Sequence, residues 1–142
     1  MRVFFDTNVL LYAIDADAGP RQHRAIALVE DALVRGFGVV STQVLQEFYV
    51  NATRKLKLEP AIARRHVELL LKLEVIEVRT QMVLAAIDLQ QARQLSFWDA
   101  LVVKAASSAG CAQLLTEDLQ HGATLDGVRV ENPFRDLVGP NL

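Results

Sequence analysis

Val3-Phe4-Phe5-Asp6-Thr7-Asn8-Val9-Leu10-Leu11 sets a carboxylate between two apolar runs. The chain around Asp6 must be buried, yet an unpaired buried carboxylate costs several kcal/mol unless a partner or a metal compensates. An acid in that position belongs at the tip of a strand, at the mouth of a cleft. Asp6 is therefore the point from which to look for a site, and residues 2–5 read as the first strand of a buried sheet.

Outward from this stretch, short β-rich apolar runs alternate with longer helical segments, the pattern of a parallel sheet covered by helices. Asn8 is read as the cap of a short helix to Ile14, stopped by the Asp, Gly and Pro turn chemistry of residues 15–20. Residues 21–35 form a helix with Ala25, Leu28, Val29, Ala32 and Leu33 on one face, closed by Gly36. Residues 38–41 are a second strand. A helix follows over 42–58, with Val44, Leu45, Phe48, Ala52 and Leu56 inward, and Pro60 opens the next, to about Leu73. Residues 75–78 give a third strand. Helices over 80–95 and 96–108 form a hairpin, with Thr80 as cap of the first and Gly110 behind the second. Residues 112–115 are a fourth strand and 128–130 a short fifth, after a loop over 120–127. The expected fold is a three-layer α/β/α domain with a four- to five-stranded parallel sheet, spanning residues 1–142 as one domain. Right-handed crossovers place ligands at the carboxyl ends of the strands.

Composition narrows the class. With 142 residues, 51% hydrophobic and 23% charged, the chain is an ordinary globular one, able to bury roughly 70% of its unfolded surface. Three apolar residues between Arg2 and Asp6 are too few for a signal peptide, and no run is long enough to span a membrane. A single cysteine, Cys111, fits a reducing, cytoplasmic setting. A net charge of −2 excludes nothing, since a local patch suffices to bind nucleic acid.

Four acids are expected at the carboxyl edge. Asp6 follows strand one and Asp118 follows strand four. Glu47 lies about a turn and a half into the helix leaving strand two, and Asp99 is in the first turn of the helix opened by Ser96. Each has a structural reading: Asp6 as a helix cap, Asp99 as part of a capping box, Glu47 as a solvated helix residue, Asp118 as a turn residue. Together they would repel one another and raise at least one pKa unless a cation neutralises them. Oxygen-only ligands favour Mg²⁺ or Mn²⁺, and His23, His66 and His121 have no ligand spacing, so zinc is not indicated.

Four motifs at these positions, Phe5-Asp6-Thr7-Asn8, Gln46-Glu47-Phe48, Phe97-Trp98-Asp99-Ala100 and Leu115-Thr116-Glu117-Asp118-Leu119-Gln120-His121-Gly122, resemble those of PIN-domain ribonucleases. The closest resemblance is to VapC toxins of bacterial type II toxin–antitoxin systems, over nearly the whole chain. It implies an acidic quartet of Asp6, Glu47, Asp99 and Asp118, with Thr116 as a supporting hydroxyl. It also implies an antitoxin partner and a homodimer.

The expected chemistry is Mg²⁺-assisted hydrolysis of RNA phosphodiesters. Asp6, Asp99 and Asp118 would hold one or two ions, and Glu47 would ligate a second ion or orient the attacking water. Asn8 and Thr116 could fix the carboxylate rotamers by hydrogen bonds. RNA needs cations near the cleft, and Arg21, Arg24, Arg54, Lys55, Lys57, Arg64 and Arg65 are candidates. Phe97 and Trp98 read as packing residues. A groove between helices 21–35 and 42–58 would take the antitoxin, and Val67, Leu70, Leu71, Val83, Ala86 and Ile87, assigned to the hairpin before strand four, would form the dimer face. Two other readings stay open. One is a catalytically inactive PIN-fold binding module. The other is an Asp-based phosphatase, although Asp6-Thr7-Asn8 lacks the second Asp of its usual signature.

Overall fold

The computed structural model describes residues 1–137. Its elements run β1 (Val3–Phe5), α1 (Thr7–Ile14), α2 (Pro20–Arg35), β2 (Gly38–Ser41), α3 (Thr42–Arg54) and α4 (Pro60–Leu70). Then come β3 (Glu74–Ile76), α5 (Thr80–Arg93), α6 (Phe97–Ser108), β4 (Gln113–Leu115), β5 (Thr124–Leu125) and β6 (Val128–Glu131). The strands form one sheet in the order β3-β2-β1-β4-β6-β5. All neighbours are parallel except β5, which pairs antiparallel with β6. Val3, Phe4 and Phe5 are all buried, so both faces of the central strand are covered, as in parallel α/β sheets.

The expected α/β fold is the observed one, with a sixth strand in addition. Thr124–Leu125, read as loop, pairs with β6 through a tight turn in which Asp126 and Gly127 both have positive φ, 51° and 81°. Two residues are too few to show an alternating pattern, and Asp-Gly was the signal for the hairpin. The helix after β2 ends at Arg54 rather than near Leu58. Lys57 takes φ 61° and the Leu58 N–H returns to the Ala52 carbonyl at 3.1 Å, a Schellman-like closure. Gly36 closes α2 in the left-handed region as expected, with φ 74°.

Gly38 marks the tightest packing point. A Cβ there would stand 2.8 Å from Leu73 Cδ2 and 2.9 Å from Ala32 Cβ, so β2 lies too close to its neighbours for any side chain.

Two expectations about surfaces change. Helix α1 packs against both α2 and α3, so those helices are joined through α1 rather than facing each other across an open channel. Of the residues expected to form a dimer face, Leu70 and Ala86 are buried in the chain's own core, while Leu71, Val83 and Ile87 are exposed. The two runs also belong to α4 and α5, on either side of β3, and not to one hairpin. No helix among the described residues is long and apolar enough to cross a membrane.

Candidate functional site

The strand order reverses direction at β1, whose neighbours are β2 on one side and β4 on the other. A sheet of this kind leaves a crevice at the carboxyl ends of the strands flanking that point. Asp6 leaves β1 there, its backbone N–H still bonded to the Leu115 carbonyl of β4 at 3.1 Å. Thr116 leaves β4 beside it, and Ser41 at the end of β2 caps α3, which carries Glu47 inward. Asp6, Glu47, Asp99 and Asp118 all line one cleft of about 260 Å³, together with Thr7, Asn8, Gln43, Asn51, Lys55 and Trp98.

Asp6 is buried, at 5% exposure. It is the N-cap of α1: Oδ1 accepts from the Thr7 N–H at 2.7 Å, and Oδ2 accepts from the Thr116 hydroxyl at 2.7 Å. Thr116 Oγ1 in turn accepts from the Asp118 N–H at 3.0 Å, tying the Asp118 turn to Asp6. Burial pushes the Asp6 carboxyl up to about 6; the Thr116 and Thr7 hydrogen bonds oppose this, and the charges of Asp118 and Glu47 add to it. Asp99 is also held above the usual carboxylate range, chiefly by burial, against a hydrogen bond with Ser96 and with further help from Asp118 and Glu47. The Ser96 hydroxyl accepts from the Asp99 N–H at 3.0 Å, the expected cap of α6.

Glu47 is positioned by two residues that sequence reading passed over. The Thr7 hydroxyl donates to Oε1 at 2.8 Å, and Gln43 Nε2 lies 3.4 Å from Oε2, a long contact, while also donating to the Trp98 carbonyl at 3.2 Å. Gln43 stands one turn before Glu47 on α3, a spacing that could have flagged it. Asn8 does not act as expected. Asp6, not Asn8, caps α1, and both polar atoms of the Asn8 amide are buried without a partner. Gln43 Oε1 is likewise unpaired. Trp98 departs from its reading as a packing residue, being 60% exposed at the cleft.

The cations are mostly elsewhere. Arg21 is bonded to Glu117, Arg24 to Asp136 and to the Pro133 carbonyl, and Arg64 to Glu68. Among the described residues that line the cleft, Lys55 carries the one positive charge. None of the four acids forms an ion pair among the described residues. Nor do any three His, Cys, Asp or Glu side chains among them stand close enough together to hold an ion as placed. The acids share a cleft but not a closed shell. The donor set of the four carboxylates nevertheless suits a hard divalent cation, because it is oxygen-only.

A larger cavity, about 790 Å³, lies away from the acids, between α2 and the edges of β1, β4 and β6. It contains Arg24, Arg35, Arg135 and His121 together with Asp31, Glu131 and Asp136, and none of the four cleft acids. Its size does not make it the chemical centre.

Comparison with known proteins was informative in sequence and in structure. Residues 3–124 match the model of the PIN domain. A search of curated proteins finds no match to this chain. Solved structures with the same fold include VapC20 of Mycobacterium tuberculosis, described as a sarcin–ricin loop cleaving toxin, at 21% identity over 79% of this chain and 86% of that one, TM-score 0.66. VapBC2 of Rickettsia felis, bound to a promoter DNA fragment, aligns at 17% identity over 93% and 98%, TM-score 0.69. A toxin–antitoxin complex from Klebsiella pneumoniae aligns at 23% identity over 92% and 97%, TM-score 0.67. At these identities the structural likeness speaks for the fold, while the family match runs from β1 through the Asp118 turn to the start of β5 and takes in all four cleft acids: the chain belongs to the PIN domain family.

Proposed function

We propose that this protein is a divalent-metal-dependent endoribonuclease, the toxin of a toxin–antitoxin pair, with Mg²⁺ as its ion and Mn²⁺ as a substitute. The observation that carries this reading is the cleft itself: four acids without ion-pair partners among the described residues, one of them buried, at the crevice where ligands of such sheets bind. Asp6, Asp99 and Asp118 would hold the ion, with Glu47 at its margin. When bound, the ion would supply charge neutralisation at the phosphate and a lowered pKa for the attacking water. The chain's own residues do the rest. Thr116 holds Asp6 in one rotamer through its hydroxyl and holds the Asp118 turn through its oxygen. Thr7 and Gln43 contact Glu47 in the cleft, where it would ligate a second ion or orient the attacking water and accept its proton. Lys55 offers a cation to an incoming phosphate.

The antitoxin reading rests on the toxin–antitoxin complex from Klebsiella pneumoniae and the VapBC2 assembly of Rickettsia felis, which share the fold. An arginine entering the acidic cleft would gain bidentate, charge-assisted hydrogen bonds from carboxylates that lack a cation. An apolar trough of about 380 Å³ between α3 and α4, lined by Leu45, Tyr49, Val50 and Val67, suits the amphipathic part of such a segment better than the channel expected between α2 and α3. A homodimer through exposed apolar residues at the end of α4 and on α5, such as Leu71, Val83 and Ile87, would leave the cleft open.

The deciding experiment incubates purified protein with total RNA and with defined stem-loops, with Mg²⁺, with Mn²⁺ and with EDTA. Internal cleavage that needs the ion and vanishes in Asp6→Asn supports the assignment. Ion-independent cleavage, or none under any condition, rejects it. Light scattering at micromolar concentration tests the dimer, and copurification with the product of an adjacent small gene tests the antitoxin.

A further inference from the structure

Trp98 is the one large aromatic side chain of the cleft, and its 60% exposure has no packing explanation. The indole is not loose. Phe97, packed against the core, meets it edge-on with ring centroids 5.1 Å apart and planes at 80°. Its backbone is held from the other side, where Gln43 Nε2 donates to the Trp98 carbonyl at 3.2 Å. A solvent-facing indole on an anchored stretch of backbone thus borders the four acids.

The same wall carries polar atoms with nothing to bond. Among the described residues, Gln43, 4% exposed, has no donor to its Oε1, and half-buried Asn8 has neither its amide oxygen nor its nitrogen engaged. Buried amide groups are normally satisfied, so unpaired ones facing a cleft mark a ligand that supplies both donors and acceptors. A nucleobase has an apolar face for the indole and a donor–acceptor edge for the amides. An ion or its waters would answer the amides and leave the indole unused.

We propose that Trp98 is a stacking platform for a nucleobase adjacent to the scissile phosphate, and that Gln43 and Asn8 contact the edge of that base. This rests on the nuclease reading and deepens it by naming the residue that receives the base, which must be unpaired, since a base inside a duplex exposes no face to an indole. Lys55, on the same cleft, serves the neighbouring phosphate.

Trp98 is the sole tryptophan of the chain, so intrinsic fluorescence reports on it alone. The full chain is titrated in Ca²⁺ with a single-stranded hexaribonucleotide, with its abasic counterpart of equal charge, and with an arginine-containing peptide. The proposal expects saturable quenching by the hexamer and binding of the abasic strand weaker by roughly tenfold or more. Trp98→Ala should raise KM for a cleavable single strand by a similar factor with kcat less affected, and Trp98→Phe should keep most of the affinity. Equal binding and quenching by the abasic strand, quenching by the peptide alone, or an unchanged KM in Trp98→Ala would overturn it. Cleavage in Mg²⁺ without base-dependent quenching would leave the nuclease reading standing and remove the stacking. Base-dependent quenching without any cleavage would do the reverse.

Discussion

The Thr116 hydroxyl donates to Asp6 Oδ2 at 2.7 Å while its oxygen receives the Asp118 N–H at 3.0 Å, so one buried side chain links the acid of β1 to the acid beyond β4. Thr116→Val keeps the shape and removes the link. It leaves a buried carboxylate oxygen unpaired and should cost about 1–3 kcal/mol in metal-free urea denaturation. Thr116→Ser should recover most of that. Equal stability of the Val and Ser variants would mean that the bond contributes nothing.

Asp6 also predicts an unusual pH response. Its folded pKa, about 6, lies above the ordinary 3.8. Between those values the folded state holds a proton that the unfolded chain has released. Stability conferred by that proton is therefore present at low pH and falls as pH rises through about 6. The fall between pH 5 and 7 should be about 1 kcal/mol, and Asp99, also raised, adds in the same direction. Glu74, Asp126 and Asp136 are shifted downward and lose their contribution only at lower pH, outside this interval. Urea melts in EDTA at pH 5 and 7 measure the difference. Asp6→Asn should flatten it, and an unaltered slope in that variant would assign the effect elsewhere.

Asp6→Asn and Asp99→Asn each remove one charge from the cleft with little change of shape. Cleavage should be abolished in both. Relief of carboxylate repulsion stabilises the metal-free proteins. Asp6→Asn also gives up one of the two hydrogen bonds that the Asp6 oxygens accept, and it should gain less than Asp99→Asn. Thermal melts with and without Mn²⁺ give a second readout: the ion should raise the Tm of wild type by mass action and raise that of Asp6→Asn much less. Activity of either variant within about tenfold of wild type at saturating Mg²⁺ would contradict the metal assignment.

Glu117 precedes Asp118 and is held by two elements at once. It accepts from the Tyr12 hydroxyl at 2.5 Å and from Arg21 Nε at 3.0 Å, while the Arg21 guanidinium lies 5.7 Å from the centre of the Tyr12 ring. Burial and the Glu117 carboxylate push the Tyr12 phenol up to about 12, so it stays a donor throughout the neutral range. Tyr12→Phe should cost about 1 kcal/mol of stability. In the nuclease reading it should also lower kcat more than it raises KM, by letting the Asp118 turn move. A change in KM alone would argue that Tyr12 touches RNA.

At Gly38 the expected outcome is steric. Gly38→Ala forces a methyl group onto Leu73 and Ala32 and should cost about 1–3 kcal/mol in chemical denaturation. Wild-type stability in that variant would show that β2 can shift freely.

Much of the fold could be read from the chain because its signals are local. Gly36 and Pro60 sit where helices end and begin, and Val39-Val40 and Leu114-Leu115 are short apolar runs of buried strands. The acids were legible for a similar reason, since each lies a fixed few residues from such a signal. Contacts that reach across the sheet were not legible. Thr7 bonds Glu47 forty residues away, and Gln43 bonds the Trp98 carbonyl fifty-five residues away. Arg21 and Arg24 looked like a basic patch because their partners, Glu117 and Asp136, are about a hundred residues downstream. Trp98 was misjudged because composition favours buried aromatics, and only three-dimensional placement distinguishes a core anchor from a wall of a cleft.

The central position of β1 has a consequence in time as well as in space. The hydroxyl that holds Asp6 is made 110 residues after it, together with the strand β4 that pairs with β1. Until β4 has emerged, β1 has an open side and Asp6 has no Thr116. In the nuclease reading, a nascent chain that has not yet reached Thr116 would carry Asp6 without the strand and the hydroxyl that set its position.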